Sequence, residues 1–391
     1  MAEEQAITNH YDAIVLGVGG VGSAALYHLA RRGLRVVGLD RFPPGHSRGS
    51  SHGETRAIRK AYFEHPDYVP LLQRAYDNWR SLEQESNSRL LFTVGLLEVG
   101  AEDSELIVGV RTAADKYQLP IESVSRAEVQ RRYPGFVVPE DYVALVESEG
   151  GYLLVEQCVI TFIRMAEQYG AELRIGAAAI GWTCRDGLVH VECEDGHYTA
   201  QRLVITAGAW ANELLRDLHV PLKILRKHLH WYGLKSPEAY SAAQGSPVFF
   251  YQTAAGCYYG FPQLNEANIK FAEHTGGEQI QDPLCVERTI DVAELKRVAG
   301  FAESYLPLVD GIAQKHAVCM YTMTPDEHFV VDMHPLCPQV CFAAGLSGHG
   351  FKFASVLGEI LSDLAIDQCS EMPIQFLRLN RPGLQISSDD L

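Results

Sequence analysis

Paired cysteines are missing from this chain. Its nine cysteines, at 158, 184, 193, 257, 285, 319, 337, 341 and 369, form no CxxC motif and are odd in number. That excludes a disulfide framework as the organising device and reads as reduced thiols. Also lacking is any stretch of about 18 apolar residues, the length a helix needs to cross a bilayer, so no membrane partner is expected. Basic residues are in deficit: 33 Lys and Arg stand against 49 Asp and Glu, a formal net charge of -16. This argues against nucleic acid and anionic lipid as partners and leaves the local sign of any one site open. No low-complexity tract or internal repeat is present. Residues 1 to 10 have neither the basic start nor the apolar core of a signal peptide, and Asp389-Asp390-Leu391 is not a peroxisomal address, so a cytoplasmic location is expected.

What is present fits an enzyme of two domains. At 391 residues the chain exceeds what one core usually supports, and 47% hydrophobic with 21% charged residues gives material for a sizeable interior. The best-defined local signal lies near the start. Tyr11 to Leu16 is a short apolar run, followed by Gly17-Val18-Gly19-Gly20-Val21-Gly22 and a helix-forming stretch from Ser23 to Ala30. Gly17 permits the tight turn, Gly19 lets the backbone approach a pyrophosphate, and Gly22 lets helix and strand pack closely. Leu34 to Leu39 reads as the second strand, and Asp40 follows Gly17 at about the 20-residue spacing of a carboxylate that holds a ribose hydroxyl. The pattern predicts a Rossmann-like dinucleotide site and does not by itself separate FAD from NAD.

Further along, residues 65–86 read as an amphipathic helix and Leu91 to Val99 as a strand. A second helix is expected over about 155–169, leading into strands at 171–175, 188–192 and 201–205. The last ends in Thr206-Ala207-Gly208-Ala209-Trp210, a strand-to-small-residue turn that suggests the edge of a nucleotide site. Residues 221–320 are aromatic and strand-rich, as a mixed sheet in a substrate-covering domain would be. Gln339 to Ala344 reads as a buried strand feeding a glycine-rich turn and a helix through Lys352, Leu357 and Leu361. The expected fold class is α/β, with a discontinuous cofactor domain (1–88, 146–220 and 327–391) and an α+β substrate domain (89–145 and 221–326). Cys337 and Cys341, near His334 and His349, are too loosely spaced and too close to Pro335 and Pro338 to predict a metal site.

Three groups of residues carry the chemistry. Ser51 with Glu54 fits a capping box, which predicts a helix beginning near His52 with Arg56 and Arg59 on one face. Lys270 and His274 are four apart and share a side in strand or helix alike. Cys319 lies in Ala317-Val318-Cys319-Met320-Tyr321-Thr322, between an expected buried strand and the acidic turn Pro325 to His328.

These residues resemble the monomeric sarcosine oxidase family, which includes N-methyltryptophan oxidase and pipecolate oxidase, within the FAD-dependent oxidases similar to D-amino-acid oxidase. The resemblance runs nearly end to end. It rests on the Gly17 fingerprint, on Gly49-Ser50-Ser51-His52-Gly53-Glu54-Thr55-Arg56-Ala57-Ile58-Arg59, on Tyr258-Tyr259-Gly260-Phe261-Pro262, and on Cys319-Met320-Tyr321-Thr322 with Ser347-Gly348-His349-Gly350-Phe351-Lys352. It implies a D-amino-acid-oxidase-like fold, a monomer, and FAD held covalently through Cys319. On the flavin side it implies Gly17, Gly19, Gly22 and Asp40; Ser50, His52, Thr55 and Arg56 from the second block; Gly208 and Trp210 from the later turn; and Met320. From the last block it adds Gly345, Ser347, Gly348, His349, Gly350 and Lys352. On the substrate side it implies a carboxylate held by Arg59 and Lys352, a border of Tyr259, His274 and Tyr321, and oxygen reduction assisted by Lys270.

The implied reaction takes a secondary amino acid and O2 to an imine and hydrogen peroxide, with the imine hydrolysed, to formaldehyde when the substrate is N-methylated. Phe250, Tyr251, Cys257, Tyr259 and Met323 are candidates for the substrate pocket. Sarcosine-specific members are expected to carry methionine where this chain has Phe250 and lysine where it has Met323, so a cyclic imino acid or a bulkier amine stands as the alternative substrate. From other classes, a nicotinamide-dependent dehydrogenase would leave Cys319 without a role, and a silent flavin-binding protein would have no need of Arg59, Lys270 and Lys352.

Overall fold

In the computed structural model, which describes residues 10–264 and 266–384, the strand His10–Leu16 pairs in parallel with Val36–Asp40, and the helix Gly20–Arg31 joins them. The readings made on residues 1–9 and on Asp389-Asp390-Leu391 lie outside the described residues. Burial on both faces explains why these strands read as continuous apolar runs. They sit inside an eight-stranded sheet whose order is 179–185, 188–193, 196–205, 10–16, 36–40 and 172–175, with 337–344 pairing 196–205 and 330–334 at its edge. Helices Gly20–Arg31, Val69–Ser86, Val155–Gln168 and Ala354–Asp367 share one apolar core with this sheet. Gly358 lets the last of these approach the first, since a Cβ there would lie 2.5 Å from Ala24.

The second sheet has nine strands, ordered 278–280, 223–234, 268–273, 256–260, 248–253, 96–101, 142–147 and 121–124, with the long strand Val309–Met323 also paired to 223–234. It is mixed, because 248–253 runs parallel to 96–101 while its other pairs are antiparallel. Side-chain alternation divides it into two packed faces. Phe249 and Tyr251 enter one core under helix Val292–Tyr305, while Phe250, Tyr259 and Ala272 enter the other with Cys319 and Trp231. A small third sheet joins Thr55–Ile58, Gly151–Leu154 and Leu91–Thr93. Among the described residues, no helix is long and apolar enough to cross a membrane, and no group of three or more His, Cys, Asp and Glu side chains is assembled to hold a metal ion.

Two local expectations are corrected. The single strand over Leu91 to Val99 is two strands, Leu91–Thr93 and Leu96–Ala101, in different sheets, because Gly95 turns the chain at φ +84°. The helix expected near His52 is a strand, Thr55–Ile58. Gly53 and Glu54 have φ of 88° and 69°, a left-handed pair that no helix start tolerates. Their N–H groups are taken by the Glu156 carboxylate, and the Glu54 side chain accepts from Trp231 Nε1 instead of capping a helix.

Candidate active site

One large cavity runs between the two sheets, from the glycine turn at Gly17 to Lys352. At its first end the turn is built so that only glycine fits. A Cβ on Gly22 would lie 1.8 Å from the Gly17 carbonyl oxygen, and one on Gly17, whose φ is +83°, would lie 2.6 Å from the Thr206 oxygen. Val18 N–H donates to Asp40 at 2.6 Å and Gly20 N–H to Ser51 Oγ at 3.0 Å, which fixes the loop over the helix N-terminus. No acidic side chain occupies the first turn of Gly20–Arg31, so the positive end of the helix dipole is left for an anion. Along the wall, Trp210 Nε1 and Thr322 Oγ1 are buried without a hydrogen-bond partner. Orphan polar groups of this kind beside a glycine cradle fit a bound dinucleotide.

Midway, Cys319 sits at the cavity wall on the long strand Val309–Met323, and its residue is 1% exposed. Arg56 Nη2 approaches its sulfur at 3.4 Å while donating to the Ser50 carbonyl at 2.9 Å. Burial pushes the thiol up, but the Arg56 charge and then His52 outweigh it and bring Cys319 down to about 7. The Arg56 contact favours the thiolate, the form that acts as a nucleophile.

The far end holds Arg59, Lys352 and Glu64. Arg59 lies between rings, its guanidinium carbon 4.7 Å from the Tyr62 centroid and 4.9 Å from that of Phe63, and its Nη2 donates to both Glu64 oxygens at 3.0 and 2.9 Å. Lys352 Nζ donates to the His349 carbonyl at 2.8 Å and to Tyr62 Oη at 3.1 Å. Burial, and then Arg59, hold Lys352 well below the usual lysine range. His349 Nε2 is 3.0 Å from the Glu327 carbonyl, which requires it to carry the proton, so Nδ1 accepts from Tyr62 at 2.7 Å. Burial brings His349 down to about 4. His274 faces Tyr321 Oη at 3.2 Å, and burial with the nearby Lys227 charge takes it to about 3. Both rings are neutral at pH 7.

Of the residues singled out in the sequence, the cavity brings together Gly17, Gly19, Asp40, Ser50, Arg56, Arg59, Gly208, Trp210, Tyr259, His274, Cys319, Met320, Tyr321, Gly345, Gly348, His349, Gly350 and Lys352. Gly22 lies behind its rim, and His52, Thr55 and Ser347 support it from within, Ser347 Oγ meeting the Thr324 N–H at 3.2 Å. Lys270 is not on this wall. It lies on strand Asn268–Glu273, which His274 follows, but its Nζ donates to the Gly53 and Thr55 carbonyls at 2.5 and 2.7 Å and borders a second cavity with Trp231 and Phe261. Among the pocket candidates Phe250 and Tyr259 line the cavity, whereas Tyr251, Cys257 and Met323 do not. Tyr251 points to the opposite core, as strand alternation dictates.

Sequence reading missed Glu64 and Lys227. A lone carboxylate in a loop reads as solvated, and the side chain of Lys227 is engaged by carbonyls of His274, Thr275 and Gly276 at 3.1, 2.7 and 3.0 Å, a contact no local pattern announces.

A strand-glycine-helix nucleotide cradle set against a mixed sheet that closes over it defines a dinucleotide-dependent oxidoreductase. The chain belongs to the family of FAD dependent oxidoreductases, whose model matches residues 12–364, and within it to the group of monomeric sarcosine and N-methyl-L-tryptophan oxidases. It is 36% identical over 384 residues to the monomeric sarcosine oxidase of Arthrobacter sp. (strain TE1826), covering 97% of this chain and 98% of that protein. It is 36% identical over 373 residues to the N-methyl-L-tryptophan oxidase of Yersinia pestis (strain Pestoides F), covering 95% and 99%. In fold it matches the open form of NikD, described as an unusual amino acid oxidase essential for nikkomycin biosynthesis, with a TM-score of 0.84 at 24% identity over 95% of this chain and 98% of that one. The cofactor expectation is therefore FAD and not a nicotinamide.

Proposed function

We propose that this protein is an oxidase of secondary amino acids, with N-methyl amino acids such as sarcosine as the leading substrate class. The observation that carries the reading is one cavity that joins a dinucleotide cradle, a cysteine 3.4 Å from the Arg56 guanidinium, and the cationic pair Arg59 and Lys352. FAD, when bound, supplies a two-electron acceptor for the C–H bond next to the substrate nitrogen and a route for those electrons to O2. Gly17, Gly19, Asp40, Trp210 and Gly348 would hold it, and Cys319 is the nucleophile that would fix it as a thioether, its sulfur replacing one hydrogen of the 8α-methyl group while the two electrons released pass to O2 and give hydrogen peroxide. Arg56, placed 3.4 Å from that sulfur, favours the thiolate.

Toward the substrate, Arg59 offers a planar fork suited to a carboxylate, and Lys352 a second donor anchored on Tyr62. His274 and Tyr321, hydrogen-bonded to each other, and Tyr259 border the space where the nitrogen would lie. No protein base is assigned to the C–H bond, because a hydride acceptor leaves no proton to be taken from carbon. Lys270, held by two carbonyls of the Gly53–Thr55 segment and drawn below the usual lysine range by burial and then Arg56, is the group assigned to oxygen reduction. The overall change is secondary amino acid plus O2 plus water to primary amine, carbonyl compound and hydrogen peroxide. On this reading the protein works as a monomer in the cytoplasm.

Phe250 in the cavity wall favours a second reading, a cyclic imino acid or a bulkier amine in place of sarcosine. Oxygen uptake measured with sarcosine, other N-methyl amino acids, proline and pipecolate tests both. One peroxide formed per substrate consumed supports the proposal, and no uptake with any of them rejects it.

A further inference from the structure

Strand Leu96–Ala101 carries a carboxyl group where its neighbours are apolar. Glu98 is 0% exposed, pairs in register with the cavity-lining Phe250 on one side and Leu145 on the other, and neither of its oxygens has a hydrogen-bond partner. Arg59 Nε, equally buried, also lacks a partner, and it lies 3.7 Å from Glu98 Oε1. Two orphan groups, one donor and one acceptor, thus face each other behind the guanidinium whose other edge meets Glu64 at the cavity. A buried carboxyl without hydrogen bonds is costly, and a leucine would fill such a strand position without that cost.

The charged and titratable groups around Glu98 are Arg59 after its strand, Glu64 in the following loop, and Glu147 on the adjacent strand. Burial, opposed by Arg59 and reinforced by Glu147 and Glu64, pushes Glu98 well above the usual carboxylate range. Were Glu98 ionised, Arg59 would already face two carboxylates and hold little attraction for a third. As a neutral acid it offers Nε an acceptor, 3.7 Å away, without consuming the charge.

We propose that Glu98 is a positioning residue: its buried carboxyl behind Arg59 is the acceptor that fixes the Nε edge of the guanidinium, so that the opposite edge and its positive charge are presented to a carboxylate ligand in the cavity. The assignment rests on the proposed substrate class only in naming that ligand as an amino-acid carboxylate. Displacing Glu64 from Nη2 by an incoming carboxylate requires a second anchor for Arg59, and a shift of less than about 1 Å closes the Nε contact to hydrogen-bond length.

The test uses the flavin-loaded enzyme and acetate as the probe carboxylate, with binding read from the visible flavin spectrum and KM read separately from kcat on an N-methyl amino acid. Glu98→Gln keeps a neutral acceptor and is expected to bind acetate within about twofold of the parent. Glu98→Leu removes the acceptor, and acetate binding is expected to weaken about tenfold or more, with KM rising by a larger factor than kcat falls. Acetate binding about tenfold tighter in Glu98→Gln would show an ionised, competing carboxylate and overturn the proposal. Unchanged binding in Glu98→Leu would overturn it as well. If the acetate series behaves as expected but no secondary amino acid is oxidised, the Glu98 assignment stands and the proposed substrate class falls. If turnover is present and the acetate series is flat, the reverse holds.

Discussion

Arg59 and Glu64 form a two-oxygen pair inside the cavity, with Nη2 at 3.0 and 2.9 Å from the carboxylate and the Arg59 side chain 4% exposed. The group proposed to bind the substrate carboxylate is thus already answered by one from the protein. Burial raises Glu64, but the Arg59 charge outweighs this and brings it below the usual carboxylate range, so the pair is ionic at neutral pH. An incoming carboxylate has to compete with it. Replacing Glu64 with Gln is expected to lower the KM of a carboxylate-bearing substrate about tenfold and to lower the melting temperature, because a buried guanidinium loses its counter-charge. Steady-state kinetics and calorimetry on the same variant check the two effects, and a raised KM would show that Glu64 assists binding.

Cys319→Ser is expected to leave FAD bound by the cradle but free to be extracted. Acid precipitation should give a yellow pellet from the parent protein and a colourless pellet with yellow supernatant from the variant. Flavin that stays with the precipitated variant would sink the covalent assignment. The neighbouring Arg56 refines the test, since a thiol brought down to about 7 by Arg56 and His52 against burial should incorporate flavin faster at pH 8 than at pH 6.

Lys270→Met addresses oxygen. Reoxidation of the reduced enzyme by O2 is expected to slow by about 100-fold or more, with anaerobic reduction changed by only about threefold. Stopped-flow absorbance separates the two half-reactions. Fast reoxidation in the variant would remove Lys270 from oxygen chemistry and leave it as a clamp on the Gly53 and Thr55 carbonyls, where the structure shows its Nζ.

Part of the acid stability follows from the two buried histidines of the cavity. Burial, the first cause in each case, lowers His349 from 6.5 to about 4 and His274 from 6.5 to about 3, each aided by a nearby cation, Lys352 and Lys227 respectively. Below pH 6.5 the unfolded chain takes up protons that the folded rings refuse, so stability falls as pH falls through the window from 6.5 to about 4. Above pH 6.5 these rings add no pH dependence. Melting temperatures measured across this window should drop toward acid, and His274→Asn should flatten part of the slope. An unaltered slope would assign the acid sensitivity elsewhere.

How much of this was legible before the structure depends on the range of the interaction. The glycine turn was readable because Gly17 and Gly22 meet clashes within a few residues or at the next strand, which a local pattern encodes. Helices such as Val155–Gln168 and Ala354–Asp367 were readable from their apolar spacing. The Gly49–Arg59 block was misread as a helix because Ser51 and Glu54 mimic a capping box, while the side chains that decide its course, Glu156 and Trp231, are distant in sequence. Glu98 was invisible for a related reason. In Leu96-Leu97-Glu98-Val99 a single carboxylate reads as the outward position of a strand, and only the pairing with Phe250 shows that it points inward.

The central claim is oxidation of a secondary amino acid at this cavity, and anaerobic mixing tests it most directly. The purified yellow protein is combined without oxygen with sarcosine, other N-methyl amino acids, proline and pipecolate, and the visible flavin band is followed. The account predicts that at least one of them bleaches the band in proportion to enzyme, and that admitting oxygen restores it. A flavin band that none of these secondary amino acids bleaches, in protein that still binds acetate at the cavity, would contradict the claim.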